Sequence, residues 1–485
     1  MEEAKSYKKK VYSGFAWKFG ERISTQGISF IVQIILARLL LPEQYGIIAL
    51  VNIFVVFADV FVVSGFCSSL IQKKNADEKD FSTLFYCSFV ISILIYIAIF
   101  LSSSYIASFF NAPELKNILR VYTIAIILYS YNSIQQAYVS RHLIFKKNFF
   151  ANIAGNFISG VLGITAALQG YGVWALVIQF LTNIIVNIIV LSFIIDWHPK
   201  LLFSFDRAKV LLNYGSKIFF ADLLNTICQE IRQLLIGKYY AKSDLALFNR
   251  GVSFANLFSN NIERTISSVL FPTMSNFSDN PEKIKYLTRL SMRTTSYIMF
   301  FFMTMFALIA EPLIRLLLTE KWMGSVVFLR IMCVSSMLSI ISNANMQAIK
   351  AIGRSDILLK LEFKKKPMLL LLILISVNIN VLAIAITMPI YSLYAALVNL
   401  KPNNNLLNYS IKEQMKDLTP AALMAFSMAL LCLPFTFIRM NGIVSILIIM
   451  TLCIFIYLSL SILFKVESYF FLKEQIKTFS RRNYK

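Results

Sequence analysis

Apolar runs of about 20 residues, the length that crosses a hydrocarbon core of about 30 Å, recur about 14 times along this chain. They fall at 12–40, 46–71, 81–103, 117–140, 149–168, 173–195, 210–236, 246–271, 286–310, 326–350, 367–386, 388–400, 419–438 and 443–464. Each predicts a membrane helix. The twelfth is the shortest and begins "MPIYSLYAALVNL", so Pro389 predicts a kink or break there, with a split eleventh helix or a re-entrant turn as the alternatives.

Several of these runs are not uniformly apolar. The eighth, "LFNRGVSFANLFSNNIERTISSVLF", carries two arginines, a glutamate and three asparagines. Projected at 100° per residue from Arg250, its residues Ser253, Asn256, Asn260, Asn261, Glu263, Arg264, Ser267 and Ser268 share an arc of roughly 160°, with only Leu257 and Phe271 intruding. A charged group facing lipid costs about 2.5 to 3.5 kcal/mol, so this face must look toward protein or a water-filled cavity. So many polar positions favour the wall of an aqueous pathway over glue between packed helices. On the first span Lys18, Glu21, Arg22, Thr25, Gln26, Ser29 and Gln33 share roughly 140°. On the seventh Asp222, Asn225, Gln229, Arg232 and Gln233 share roughly 100°. The second adds Asn52 and Asp59, nearly superposed at a spacing of seven. Some of these charges are expected to pair internally, Lys18 or Arg22 with Glu21 or Asp59 for example.

Composition agrees with an all-α integral membrane protein: 58% of the 485 residues are apolar, 15% are charged, and the mean hydropathy is +0.68. Soluble chains run near half apolar and about a quarter charged. If the chain starts inside and alternates, cytoplasmic segments hold about 31 Lys and Arg against about 6 in outer loops, which predicts an even number of crossings with both termini cytoplasmic. The runs "KSYKKK", "QKKNADEK", "RHLIFKK", "KLEFKKK" and the tail "KTFSRRNYK" carry much of the net charge of +22. They are accounted for by topology and by attraction to anionic membrane lipids, not by nucleic acid. The first apolar segment is too long for a cleaved signal and is read as a retained helix.

Chemistry is sparse elsewhere. Cys67, Cys87, Cys228, Cys333, Cys432 and Cys453 all fall inside predicted spans and form no CxxC pair, so they read as small buried residues. His142 and His198 are the only histidines, which makes a His-based metal or proton site improbable. No GxxxxGK[ST] loop is present, and no outer loop exceeds about 15 residues, too short for an added catalytic domain. A secondary or facilitated transporter fits better than a pump or an enzyme, with no cofactor.

Aligned with itself at an offset of about 200 residues, the chain sets "ARLLLPEQYGI" beside "GKYYAKSDLAL" and "SSLIQ" beside "SVLFP". Six spans separate the copies, an even number, so the repeats are parallel and the path runs between two lobes. This divides the chain into 1–196 for the first six spans, 197–410 for the next six, and 411–485 for two accessory spans and a basic cytoplasmic tail.

The segments "LARLLLPEQYGIIAL", "SSLIQKKNADEKDFSTLF", "GYGVWALVIQ", "NYGSKIFFADLLNTI", "LIGKYYAKSDLALFNRGVSFANL", "LFPTMSNF", "LLTEKWMGSVVFLRIM" and "AIGRSDILLKLEFKKK" resemble the Wzx-type polysaccharide transporter branch of the multidrug/oligosaccharidyl-lipid/polysaccharide (MOP) flippase superfamily, from about residue 12 to about 366. The resemblance implies a V-shaped MATE-like bundle of two six-helix lobes plus two accessory helices in a bacterial inner membrane. It would alternate between inward-open and outward-open states. The implied substrate is an undecaprenyl-pyrophosphate-linked oligosaccharide, turned from the cytoplasmic to the periplasmic leaflet for O-antigen, capsule or exopolysaccharide. The implied neighbours are a polysaccharide polymerase and chain-length proteins, and a monomer is expected. The chain departs from the family where Lys242 and Ala246 replace an expected proline and glycine, and around Met388 to Tyr391, where a glycine-rich turn is usual.

A sugar chain with a pyrophosphate would lose its hydration in hydrocarbon, and a cavity lined with Arg, Lys, Asn and Gln replaces it. Arg22, Arg232, Arg250 and Arg264 are the candidates for pyrophosphate, with Lys18 weaker; Asn225, Gln229, Asn256 and Asn260 are candidates for the sugars. Asp59, Asp222, Glu230 and Glu263 are candidates for coupling to Na⁺ or H⁺. The competing assignments are a drug/cation antiporter or a cell-wall lipid-precursor flippase of the same superfamily, and, from another class, a membrane-embedded polysaccharide polymerase or ligase.

Overall fold

A computed structural model of the chain describes residues 2–64, 70, 76–438 and 441–482. Cys67, all of the "SSLIQ" match but Leu70, half of "QKKNADEK" and the end of the basic tail lie outside the described residues. Helices account for nearly all of the rest. They are α1 (Glu2–Leu39), α2 (Pro42–Asp59) running into a π-helical turn (Val60–Ser64), α3 (Glu78–Phe109), α4 (Leu115–Tyr122), α5 (Ile124–His142), α6 (Phe145–Leu168), α7 (Val173–Ile194) and α8 (Phe205–Tyr239). There follow α9 (Lys242–Ser275), α10 (Pro281–Leu308), α11 (Ala310–Leu318), α12 (Ser325–Ala351), α13 (Ser355–Ser376), α14 (Val381–Leu407), α15 (Ile411–Cys432), α16 (Gly442–Leu463) and α17 (Glu467–Arg482).

Among the described residues eight helices are long and apolar enough to cross a membrane, or nine if α10 and α11, bent by 62°, form one span. The other expected spans fall on α1, α5, α8, α9 and α13. Three of these, α1, α8 and α9, are the helices singled out for their polar faces, and α13 opens on "SDILLKLEFKKK".

The expected boundary between the eleventh and twelfth spans is corrected. Pro389 does not break a helix: it lies inside α14, as does Pro402. The break is at residues 377–380, where the side chain of Asn380 accepts from the backbone N–H of Ala383 at 2.7 Å and caps α14. The run 367–386 therefore joined the end of one helix to the start of the next, because the intervening "VNIN" is too short to interrupt its hydrophobicity.

Two compact units emerge, Met1–Ala246 and Leu247–Lys485. The first thus takes in α8, which packs on α2, the π turn and α3. Its tightest seam is α6 against α7. Gly155, Ser159 and Gly163, four apart, form a small-residue stripe that lets the backbones approach. A Cβ on Gly163 would lie 2.8 Å from Gln179 Cβ, and one on Gly160, on the side facing α1, 2.5 Å from Val32 Cγ2. At the turn between α8 and α9 the contact is closer still: a Cβ on Gly46 would meet the carbonyl oxygen of Lys242 at 1.9 Å. In the second unit α12 packs on α14 and α10, and α10 on α15. Gly251 plays the equivalent part there, 2.7 Å from the backbone N of Leu329 for an added Cβ.

Candidate functional site

Helix α9 is polar on the side it leaves open. Ser253, Asn260, Arg264 and Ser268 are exposed, together with Leu257 and Phe271, the two intruders expected on that arc. Asn256 is half-buried. The opposite side, through Gly251, Phe254, Ala255 and Ser259, is buried. Arg250 lies nearer the buried side: it is only 9% exposed, and its guanidinium sits 4.8 Å from the ring centroid of the fully buried Trp322. Of the two arginines on this helix, Arg264 is the one presented outward.

Glu263 is half-buried, and its Oε1 accepts from Ser339 Oγ at 2.6 Å. It opens on a small cavity of about 10 Å³ that is also lined by Ser267, Ser291, Thr295, Asn343 and Gln347. Ser291 Oγ is buried and has no hydrogen-bond partner. Ile266, Leu270, Ile340 and Ala344 complete the lining, so a carboxylate and a few polar groups face a space the size of one water among apolar side chains, which suits a water or a proton carrier.

In the first unit the candidates spread over three helices. On α8, Asp222, Glu230 and Arg232 are half-buried, Asn225 and Gln229 are exposed, and Gln233 Nε2 donates to Glu230 Oε2 at 2.6 Å. Asp59 on α2 is half-buried and Asn52 exposed. On α1, Arg22 is half-buried, and Lys18, its side chain 55% exposed, pairs with Glu21 at 3.2 Å. The structure thus brings together Lys18 with Glu21, Glu230 with Gln233 and Glu263 with Ser339. Arg250, Asn256, Asn260, Glu263 and Arg264 fall in the second unit and the remaining candidates in the first.

Glu21 belongs to a ring that residue spacing did not reveal. Its Oε1 accepts from Asn152 Nδ2 at 2.7 Å and Asn148 Nδ2 at 3.2 Å. Asn152 accepts from Asn187 Nδ2 at 2.6 Å, and Asn187 from Asn132 Nδ2 at 3.3 Å. Gln136 Nε2 closes the circuit by donating to Asn132 at 3.4 Å and Asn148 at 3.0 Å. Helices α1, α5, α6 and α7 are thereby tied through their interior. A signal was present: Asn148, Asn152 and Asn156 recur every four residues on α6, as do Asn183 and Asn187 on α7.

A second unforeseen feature is a charge ladder in the second unit. Lys285, Arg289 and Arg293 form a stripe on α10 at spacings of four, facing Glu413 and Asp417 on α15. Asp417, its side chain fully buried, accepts from Arg289 Nε at 2.8 Å and Nη2 at 3.0 Å, from Arg293 Nε at 2.8 Å and Nη2 at 2.5 Å, and from the Tyr409 hydroxyl at 2.7 Å. Arg293 also pairs with Glu467, the first residue of α17.

Outside the apolar spans of the first unit, Arg207 pairs with Asp77 and, at 3.2 Å, with Asp80, while Lys200 pairs with Glu78. Asp77 also caps α3, accepting from Asp80 N at 3.0 Å. The Arg207 guanidinium holds the Asp77 carboxyl down to about 2.

Comparison with known proteins places this geometry in context. Residues 35–327 match the family described as "Polysaccharide biosynthesis protein". The chain is 23% identical over 314 residues to the succinoglycan biosynthesis transport protein ExoT of Rhizobium meliloti, covering 65% of this chain and 64% of that protein. It is 22% identical over 367 residues to the lipopolysaccharide biosynthesis protein WzxC of Escherichia coli, covering 74% of each. To the teichuronic acid biosynthesis protein TuaB of Bacillus subtilis it is 23% identical over 361 residues, covering 73% of each. The chain therefore spans just under two thirds of the first of these relatives and about three quarters of the others. Among solved structures, the lipid II flippase MurJ in an inward closed conformation superposes with a TM-score of 0.74 at 16% identity, covering 93% of this chain and 98% of that one, which makes the fold that of a MurJ-like helical bundle.

Proposed function

We infer that this chain, which belongs to the polysaccharide biosynthesis protein family through its match over residues 35–327, is a flippase for undecaprenyl-pyrophosphate-linked oligosaccharides. It turns the repeat unit from the cytoplasmic to the periplasmic leaflet of a bacterial inner membrane by alternating access, for assembly of a surface polysaccharide. The sugar-pyrophosphate head cannot shed its water into hydrocarbon, whereas the prenyl tail never needs to leave it. The chain's task is to offer the head a second set of hydrogen bonds at bilayer depth.

The open face of α9 carries this reading. Asn260, Arg264 and the exposed serines are presented outward on this helix. Arg264 offers a two-pronged fork to phosphate oxygens, and the asparagines match sugar hydroxyls. In the first unit Arg22, Arg232 and Lys18 are our candidates for phosphate contacts, and Asn225 and Gln229 for sugar contacts. Arg250, stacked on Trp322, contributes from a more buried position. Of the four acidic candidates, Glu263 is the one we assign to couple transport to Na⁺ or H⁺, because it fronts a cavity with an unpartnered buried hydroxyl. Both termini are assigned to the cytoplasm, α15 and α16 to accessory helices, and a polysaccharide polymerase to the consuming step.

Arg264→Ala tests the assignment. Its side chain is exposed, so the fold has no reason to depend on it. Loss of surface glycan, with lipid-linked repeat units accumulating on the cytoplasmic side and protein abundance unchanged, is the expected result, and Arg264→Lys restores part of the export. Normal glycan in Arg264→Ala at normal abundance overturns the role given to this face.

A further inference from the structure

The cavity between α10 and α17 is unrelated to the transport path assigned above. It measures about 320 Å³, large enough for a phosphate-bearing head group with its glycerol. Its floor is cationic: Arg289 and Arg293 line it, each about one third exposed. Asp417 engages Arg289 through Nε and Nη2, leaving Nη1 for another acceptor. One end is the first turn of α17, where the amides of Glu467 and Ser468 have no carbonyl four residues earlier within the helix, and where the helix dipole favours an anion.

Ser468 is the independent sign of a ligand. Its residue is 7% exposed, it lines the cavity, and its hydroxyl makes no hydrogen bond. Thr294 Oγ1, also on the cavity wall, is buried without a partner. The remaining wall is apolar, with Leu290 and Phe471. Tyr286, 59% exposed, stands at the opening. Polar donors at one end and apolar wall at the other match a molecule that is itself amphipathic. The position agrees: α17 begins four residues after α16, an apolar span, ends at Leu463, which puts the cavity near the interface where anionic head groups lie.

We propose that this cavity is a binding site for the phosphate of an anionic phospholipid, gripped by Arg289, Arg293 and the N-terminal turn of α17, with its glycerol against Leu290 and Phe471. Glu467, on the rim and 77% exposed, now holds an outer nitrogen of Arg293 and is the group the phosphate displaces or shares. The lipid thereby pins α17 to α10. The site depends on the chain being a membrane protein and not on what it transports, so its test uses no export measurement.

The experiment is native mass spectrometry of the full chain, delipidated and titrated with phosphatidylglycerol or phosphatidylcholine, with thermal unfolding in inorganic phosphate as a parallel arm. Ser468→Asp places a carboxylate in the mouth of the site but at a helix N-terminus, where it favours folding. Thr294→Val removes a hydroxyl without changing shape. The wild type should retain phosphatidylglycerol over phosphatidylcholine, and Ser468→Asp should lose about tenfold or more of that preference, the scale of one charge-assisted hydrogen bond. Thr294→Val should lose less. Inorganic phosphate that stabilises the wild type and competes with phosphatidylglycerol also supports the phosphate grip. Stabilisation by phosphate without any preference for phosphatidylglycerol overturns the lipid as the source. Equal retention of the two lipids without stabilisation by phosphate, or an unchanged preference in both variants, overturns the site.

Discussion

Asp417→Asn should lower the thermal midpoint of the protein by about 6–12 °C, the product of about 3 kcal/mol and about 2–4 °C per kcal/mol for a cooperative unit of this size. The carboxylate is fully buried and takes five hydrogen bonds, from Arg289, Arg293 and Tyr409, at 2.5–3.0 Å. Asparagine preserves the shape but supplies one acceptor oxygen and turns an NH₂ donor toward a guanidinium. Removing one partner of a buried ion pair costs about 3–5 kcal/mol. The arginine side chains are 33% and 29% exposed and can recover some hydration, which puts the value at the lower end. The assay is apparent thermal unfolding of the purified protein in detergent at a fixed scan rate, since unfolding of a membrane protein is governed partly by rate. Glu413→Gln is the internal comparison: its side chain is 40% exposed and its pair with Lys285 is longer, 3.3 Å, so it should cost under about 1 kcal/mol. An Asp417→Asn midpoint within 2 °C of wild type, or one matching Glu413→Gln, would refute the idea that this carboxylate organises α10 and α15.

Two further outcomes follow from the first unit. Glu21→Gln should destabilise by about 2–3 kcal/mol, because Asn148 and Asn152 lose an ionised acceptor, whereas Lys18→Met should cost under about 1 kcal/mol; thermal midpoints of the pair separate the ring from the exposed ion pair. The Asp77 carboxyl titrates at about 2 in the folded chain against an ordinary 3.8, so its pairing with Arg207 contributes fully above pH 3.8 and is lost only as pH falls from there toward 2. The difference in midpoint between wild type and Arg207→Gln should accordingly be constant from pH 5 to 8 and shrink at pH 3, and a difference that changes between pH 5 and 8 would rule out Asp77 as the partner that matters.

Much of the architecture was written in local sequence. Runs of apolar residues located the long helices, and the offset of about 200 residues holds at the level of helix ends: α1 stops at Leu39 and α2 starts at Pro42, while α8 stops at Tyr239 and α9 starts at Lys242. What escaped was whatever depends on partners distant in sequence. Arg250 projects to the edge of the polar arc of α9, but the angle says nothing of Trp322, which comes from the turn before α12. The asparagines of α6 and α7 carry no charge, and buried charge is what singled out the polar faces of α1, α8 and α9, although their spacing of four is visible. Lys285 fell in a loop and Arg289 and Arg293 inside the ninth expected span at 286–310, and their spacing of four says nothing of Glu413 and Asp417, which lie more than 120 residues away. Pro389 misled because a proline in a packed membrane helix costs less than its propensity in water implies.

The amide ring also constrains how the chain is made. Glu21 leaves the ribosome on the first helix, and its partners Asn148 and Asn152 follow 127 and 131 residues later. At about 5–20 residues per second, that is a wait of roughly 6–26 s. During this interval Lys18, one helical turn away, is the counterion at hand. The earliest helix to be synthesised is therefore fixed in place only once α6 has followed it, and a chain stalled before α6 has a first helix whose Glu21 lacks both of its asparagine donors.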